Sequence, residues 1–271
     1  MATITAADVK KLRDATGAGM MDAKKALTEA EGNFDAAVEI LRVTGAAKMA
    51  NRSDREASNG LVASAGSAVI QLGAETDFVA KNAEFMALAQ SIAEAVAQAG
   101  AHGVEAASAV VLPTGNTAAE AIAELSAKIG EKLELANAAS YEGPVSIYLH
   151  KRSSDLPPQV AVMIEYDGGE PEFVRGIAMQ IAAMKPGYVT REEIPAEVLA
   201  NERRVAELTA KEEGKPEAII PRIVEGRLNG FYKEVVLIDQ ASVSDDKLTV
   251  GQLLKRNGVT VKRFVRFAAG A

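Results

Sequence analysis

The chain has 271 residues, of which 48% are hydrophobic and 25% charged, a composition typical of a globular protein with one large or several small domains. Its formal net charge of −7 disfavours a general nucleic-acid-binding protein, whose affinity depends on Lys and Arg that neutralise phosphates. The absence of cysteine excludes disulfides, thiolate zinc sites and cysteine nucleophiles. No apolar run approaches the ~20 residues of a membrane span, and the start lacks the apolar core of a signal peptide, which predicts a cytoplasmic protein.

Residues 1–50 predict a separate module of three short helices. Thr5 is a suitable N-cap for the first helix, and the stretch TGAG at 16–19 breaks it. Apolar residues at helical spacing predict a second helix over 20–32, and Asn33 is placed to cap a third. Three short helices bury little surface, so this module should be marginally stable alone.

The pattern then changes to short apolar runs. Residues 45–60 are charged and rich in small residues, which predicts a linker with some helical content. Two apolar runs within 61–75 predict a β-hairpin. A helix with Phe85 in its apolar stripe follows, and after a loop Thr117 and Glu120 form a capping box for another helix.

A second unit repeats this plan. Residues 145–150 and 159–166 predict paired strands, and 170–184 predict a helix that begins near Phe173. Because both halves place apolar strands, an acidic turn and a Phe-led helix in the same order, we predict a duplicated α+β unit.

The second unit is interrupted by a predicted helical hairpin. Residues 195–228 read as two helices joined at 214–216. After them the sequence predicts a strand over 235–243, a short helix over 250–257 and a final strand over 259–267.

Motifs for catalysis and for nucleotide binding are missing. The sequence has no G-x-x-x-x-G-K-[ST], no H-E-x-x-H and no G-x-S-x-G. Gly17-Ala18-Gly19 only faintly resembles a dinucleotide loop, since no strand precedes it. The two histidines, His102 and His150, make a weak case for a metal site, which usually needs three or more ligands. We therefore expect no cofactor, no metal and no catalytic residues.

The final strand, VKRFVRF at 261–267, interleaves basic and aromatic residues. One interpretation is a nucleic-acid-binding strand. The favoured one is simple alternation, with Val261 and Val265 on one face and Lys262 and Arg266 on the other.

Two apolar stretches look exposed. Adjacent Met20 and Met21 cannot both face inward on a helix, so they either form a contact surface or are partly buried. Phe78, in TDFV, joins the apolar stripe of the following helix if that helix extends back through it. If the helix begins near Asn82, which is a good cap, Phe78 lies on the connecting turn. The residue pattern leaves both alternatives open.

Two long stretches resemble a known family. LRDATGAGMMDAKKAL at 12–27 and ETDFVAKNAEF at 75–85 closely resemble the two signature stretches of the bacterial elongation factor Ts family. Further similar stretches extend the resemblance over nearly the whole chain, at 126–135, 179–186, 214–216 and 223–231.

The resemblance implies a function and a fold. The implied function is guanine-nucleotide exchange on elongation factor Tu, which the protein would bind in its GDP-bound and nucleotide-free forms. Such a protein is not an enzyme, and it is not expected to bind nucleic acid or membrane. The fold is α+β, with a ubiquitin-associated-like three-helix module at 1–52, a core N-terminal subdomain at 53–140 and a core C-terminal subdomain at 141–271. A helical hairpin is inserted at about 190–228. The sequence leaves open whether this hairpin pairs two chains into a homodimer or lies on the core of its own chain.

The resemblance also implies partner-binding residues. In the family, an Asp-Phe pair intrudes near the magnesium and nucleotide site of the partner, and here that pair is Asp77 and Phe78. An Ile-Gly pair contacts the same domain of the partner, the N-terminal module packs on one of its helices, and a His lies near its third domain. The implied contacts besides Asp77 and Phe78 are Thr76, Val79, Ile129, Gly130, Leu12, Met20, Met21 and His150. The chain departs from the family pattern after His150, where the loop is longer and carries Pro157-Pro158.

Overall fold

The computed structural model describes residues 4–16, 18–50 and 55–270, with the backbone alone for 45–50. It combines helices with two three-stranded sheets, so the predicted α+β class is confirmed at that level. The chain divides into two compact units. The first contains Met1–Glu142, Lys151–Val160 and Phe267–Ala271, and the second contains Gly143–His150 and Ala161–Arg266.

Three helices open the first unit: α1 (Ala6–Thr16), α2 (Met20–Glu29) and α3 (Phe34–Ala50). Thr5 and Asp8 cap α1 reciprocally, because Asp8 Oδ2 accepts from Thr5 N at 2.9 Å and Thr5 Oγ1 accepts from Asp8 N at 3.2 Å. Asn33 caps α3 by accepting from the backbone N–H of Ala36 at 3.1 Å. The buried residues of this cluster are Val9, Leu12, Ala23, Ala26, Leu27 and Ala37.

The third helix is longer than predicted. It continues to Ala50, through the first part of the predicted linker, because the small residues of that segment are compatible with a helix. The predicted boundary at 52/53 lies in 51–54, outside the described residues, as does Gly17 of the Gly17-Ala18-Gly19 stretch.

The first sheet has the order β1 (Asn59–Ala65), β2 (Ala68–Ala74) and β3 (Leu133–Ser140), with both neighbouring pairs antiparallel. The predicted hairpin is β1–β2, and its turn uses Gly66 with a φ of +51°. β2 is buried along its whole length, which makes it the central strand of this core.

Four helices accompany this sheet: α4 (Asp77–Ala80), α5 (Ala83–Ala99), α6 (Val104–Ser108) and α7 (Ala118–Ile129). Phe85 of α5 is fully buried in the same core as β2, as the sequence predicted. The capping box of Thr117 and Glu120 at the start of α7 is confirmed.

The second sheet has the order β4 (Val145–His150), β5 (Val160–Asp167) and β6 (Thr260–Ala268). α8 (Pro171–Met184) packs on this unit's core through Val174, Ile177 and Ile181, and the later α11 (Val250–Arg256) contributes Val250 and Leu254.

The predicted helix pair lies between α8 and α11, as α9 (Ala196–Glu212) and α10 (Ile220–Val235). The two helices share an apolar cluster that contains Ala206, Ala210, Ile220, Val224 and Leu228. None of the described helices has the length and hydrophobicity needed to cross a membrane.

The prediction of a strand over 235–243 is wrong. α10 continues to Val235, and a single 3-10 turn follows at Leu237–Asp239. The buried Gln180 side chain bonds the backbone that follows, accepting from Val243 N at 2.8 Å and donating to Ala241 O at 3.0 Å. A short buried apolar run is compatible with a strand or a helical turn, and here isolated bridges to Tyr188 and Thr249 stand in place of a continuous ladder.

Candidate functional site

Phe78 lies on α4, a single helical turn at the corner between β2 and α5. Its side chain is 81% exposed, whereas the next two residues, Val79 and Ala80, are 6% and 0% exposed. Val79 packs in the same core cluster as Phe85, so it holds the turn against the sheet. The structure therefore presents Phe78 to solvent, and Val79 anchors the turn rather than lying on its surface.

Asn82 separates this turn from α5. Its Oδ1 accepts from Glu84 N at 2.8 Å and from Phe85 N at 3.2 Å, which caps α5. The Asn82 backbone has φ −67° and ψ 130°, which interrupts the helical path between the two helices. Phe78 therefore cannot join the stripe of Phe85, which settles the alternative that the residue pattern left open.

The residues of the predicted Ile-Gly contact, Ile129 and Gly130, lie beside this corner. α7 ends at Ile129, and the following Gly130 has a φ of +88°, in the left-handed region that favours glycine. The next residue, Glu131, bonds Thr76, the N-cap of α4. The structure thus brings the Ile129–Gly130 turn and the Asp77–Phe78 turn together, although they are far apart in sequence.

The N-terminal module presents a second apolar surface. At the start of α2, Met20 is 54% and Met21 is 77% exposed. Leu12 is fully buried in the core of the module. The prediction that Leu12 contacts a partner directly does not fit this burial, because its side chain already packs inside the module and supports the surface from beneath.

His150 lies in the second unit, at the exposed end of β4. The Tyr148 hydroxyl and His150 Nδ1 are 3.0 Å apart, which orients the imidazole ring. The side chain of His150 is thus exposed at the end of the strand, and its contact with the partner stays a prediction.

An ion pair that the sequence did not predict lies at the end of α4. Lys81 Nζ donates to Asp155 Oδ2 at 2.7 Å, and the Ser153 hydroxyl also bonds this carboxylate. The hydrogen bond from Lys81 is the main cause that lowers the pKa of Asp155 to about 2, and the same bond raises the pKa of Lys81. No motif marks Asp155; its only signal is that it lies in the loop that departs from the family pattern.

The comparison with protein families shows the family of this chain. The model of the family "Elongation factor TS" matches residues 75–271. The chain belongs to the elongation factor Ts family. The elongation factor Ts of Cutibacterium acnes is 64% identical over 267 residues, which cover 98% of this chain and 99% of that relative. Those of Mycolicibacterium smegmatis and Nocardia farcinica are 57% and 55% identical, over 100% of this chain and 99% of each relative.

Elongation factor Ts proteins are nucleotide exchange factors of translation elongation, so the exchange role in translation elongation that the resemblance implied is confirmed. Exchange makes and breaks no covalent bond, and it needs a surface that binds and reshapes a partner. Among the described residues there is no group of three or more His, Cys, Asp or Glu side chains that could hold a metal ion.

The basic residues of β6 bond within the protein. Lys262 pairs with Asp167 at 2.9 Å, and Arg263 pairs with Glu165 at 2.6 Å. Val261 and Phe264 both pack with the core of this unit, so the two faces of the strand do not alternate strictly. No observation here favours the nucleic-acid-binding alternative over nucleotide exchange.

Proposed function

We propose that this exchange factor releases GDP from elongation factor Tu by inserting Phe78, together with Asp77, near the magnesium and nucleotide site of that partner. The observation that carries the proposal is the 81% exposure of Phe78 on a turn whose next residues are buried. An exposed aromatic ring on an anchored turn is a preorganised apolar wedge, because Phe offers large apolar area with few rotatable bonds.

GDP and the exchange factor bind the same partner and affect each other's affinity, and this linkage defines what the wedge must do. An exchange factor binds the nucleotide-free partner more tightly than the GDP-bound one, and GDP weakens binding of the factor by the same ratio. Each tenfold loss of GDP affinity requires roughly 1.4 kcal/mol of differential binding. Magnesium demands near-ideal octahedral geometry at short oxygen distances, so a small displacement of its ligands weakens the site.

The remaining predicted contacts are proposed to attach the factor to the same partner. Ile129 and Gly130 lie beside α4 and are proposed to touch the same domain of the partner. Met20 and Met21 are proposed to dock the N-terminal module on that domain, since Met adapts to varied surfaces. His150 is proposed to contact the partner's third domain.

We also infer the finer architecture that the family resemblance implies. The module at 1–52 is ubiquitin-associated-like, and the subdomains 53–140 and 141–271 are duplicates, with α9 and α10 inserted in the second. A three-stranded sheet with packed helices in each half supports this. As a translation factor, the protein is proposed to act in the cytoplasm.

Self-association through the helical hairpin is proposed on a separate observation. α9 carries the exposed apolar side chains of Val198, Val205 and Leu208, which are 37%, 42% and 52% exposed. Sedimentation equilibrium of the full chain should show a concentration-dependent dimer that the double variant Val205→Ser/Leu208→Ser weakens. A monomer at all concentrations would remove this part of the proposal.

The wedge itself is tested by crosslinking. A photoreactive phenylalanine analogue at position 78 should crosslink to the nucleotide-binding domain of elongation factor Tu, near its magnesium ligands. The same analogue at position 111, where Val111 is 64% exposed in the same unit, is the control. Crosslinks from position 78 that fall only outside the nucleotide-binding domain would overturn the proposal.

A further inference from the structure

The Glu131 carboxylate, just after the end of α7, accepts hydrogen bonds from the turn that carries Phe78. The β2–β3 ladder ends at the pair Ala74 and Leu133. Beyond it, Glu131 Oε2 accepts from the Thr76 backbone N–H at 3.1 Å, and Glu131 Oε1 accepts from the Thr76 hydroxyl at 2.9 Å. Both donors of Thr76 therefore bond one carboxylate from a distant part of the chain.

A second carboxylate makes the reverse connection. Glu75 Oε1 accepts from the backbone N–H of Lys132 at 2.6 Å, and Arg55 Nη1 lies 3.1 Å from Glu75 Oε2. Each of the two segments thus holds the other's backbone through a charged side chain. Hydrogen bonds to ionised acceptors are roughly twice as strong as neutral ones, so this crossed pair fastens the two segments firmly.

Glu131 is itself held in place. The hydroxyl of Ser126, which is fully buried, donates to the Glu131 carbonyl at 2.5 Å. The left-handed backbone of Gly130 turns the chain immediately before it. The Glu131 side chain is partly buried, which limits the alternative positions open to its carboxylate.

The N-cap residue of α4, Thr76, depends on its hydrogen bonds to Glu131. A Thr N-cap ordinarily accepts a hydrogen bond from a backbone N–H of the first turn. The Thr76 side chain makes no such bond to α4, and its hydroxyl donates to Glu131. The position of this turn therefore rests on Glu131 at its start, on the burial of Val79 and Ala80, and on the Lys81–Asp155 ion pair at its end.

We propose that Glu131 is a positioning residue for nucleotide exchange. It fixes the turn of Phe78 relative to the Ile129–Gly130 turn, so that both engage the partner together. The inference rests on the proposed role of Phe78. Glu131 acts through the placement of that ring, and a misplacement of about 1 Å in a preorganised site is enough to lower its effect greatly.

A double-mutant cycle tests this inference. The variants are Glu131→Ala, Phe78→Ala and their combination, in the full chain, with stimulated release of fluorescent GDP from elongation factor Tu as the readout at saturating factor. We expect Glu131→Ala to lower the maximal release rate about fivefold or more, and to add nothing in the Phe78→Ala background. Equal effects of Glu131→Ala with and without Phe78 would overturn the inference, because they would mean that Glu131 acts independently of the ring.

A second measurement separates positioning from loss of folding. Glu131→Gln keeps the size of the side chain but removes the charge and leaves one acceptor oxygen for two donors. It should leave the unfolding temperature within a few degrees, speed amide exchange over residues 76–80, and lower release by less than Glu131→Ala. Unchanged amide exchange and unchanged release in this variant would contradict the proposal.

The controls distinguish the possible failures. Glu105→Ala and Glu105→Gln change an exposed carboxylate of the same unit that is not part of the proposed site, and they should leave release unchanged. If Phe78→Ala itself releases GDP normally, the wedge proposal fails. If Phe78→Ala is slow while Glu131→Ala is normal, only the positioning role fails.

Discussion

Replacing Phe78 with alanine separates folding from exchange, because the ring contributes little to the free protein. With 81% of the residue exposed, about 40 Å² of a side chain of about 200 Å² is covered. At about 25 cal/mol per Å², that burial stabilises the fold by about 1 kcal/mol. For a chain of this size such a loss lowers the unfolding temperature by about 2–4 °C.

The same ring has much more surface to offer a partner. If the remaining area of about 160 Å² becomes covered on binding, it contributes at most about 4 kcal/mol. Association consumes part of this through lost motion and side-chain ordering. If about a third of this contribution stabilises only the complex with the nucleotide-free partner and not the complex with the GDP-bound partner, Phe78→Ala lowers stimulated GDP release about tenfold.

Stopped-flow release of fluorescent GDP, with the factor titrated to saturation, measures both the maximal rate and the half-saturating concentration. We expect the maximal rate to fall and the thermal unfolding to change by only a few degrees. Val111→Ala, which truncates another exposed apolar side chain of the same unit, should change neither. A normal maximal rate with normal half-saturation in Phe78→Ala would refute the wedge mechanism.

Three further predictions follow from the site. Met20→Ser/Met21→Ser should raise the half-saturating concentration about tenfold or more without lowering the maximal rate, because it removes exposed apolar docking area; an unchanged titration curve would contradict the docking role. The pKa of the Asp155 carboxyl, measured by NMR, should be about 2 and should return toward its ordinary 3.8 in Lys81→Met. Because folding lowers this pKa, the ion pair stabilises the fold above about pH 4, and this stabilisation is lost as the pH falls through 2. A pKa near 3.8 in the unaltered chain would count against the ion pair. Gly130→Ala should lower the free energy of unfolding by about 1 kcal/mol, measured in urea, since its φ is +88°; an unchanged midpoint would argue against this backbone conformation.

Local signals predicted most of the helices and their ends. Thr5, Asn33 and Thr117 cap helices as expected, because a side-chain cap is set by residues that are neighbours in sequence. The strand predicted over 235–243 failed for the opposite reason. Its backbone bonds several separate groups, among them Tyr188 O, Val189 O and the buried side chain of Gln180, and nothing in the local pattern indicates those long-range partners.

The site shows the same division between local and long-range information. The sequence could name Phe78 through a family resemblance, but its pattern could not decide between a buried and an exposed ring. Asn82 decided the question, because its cap interrupts the helix and separates Phe78 from the stripe that buries Phe85. Burial of Val79 and Ala80 then directs the ring outward, and this depends on a sheet assembled from distant segments.

Glu131 lies beyond the reach of any local pattern. It is one of many carboxylates in the sequence, and its significance arises only when β3 pairs with β2 and brings it to Thr76. The anchoring of the turn that carries the exposed Phe78 ring is thus divided between two physical sources. Hydrophobic burial fixes the side of the turn that faces the core, and charged hydrogen bonds fix its edge. A wedge held by burial alone could rock about Val79, whereas the carboxylate restrains that motion without covering the ring.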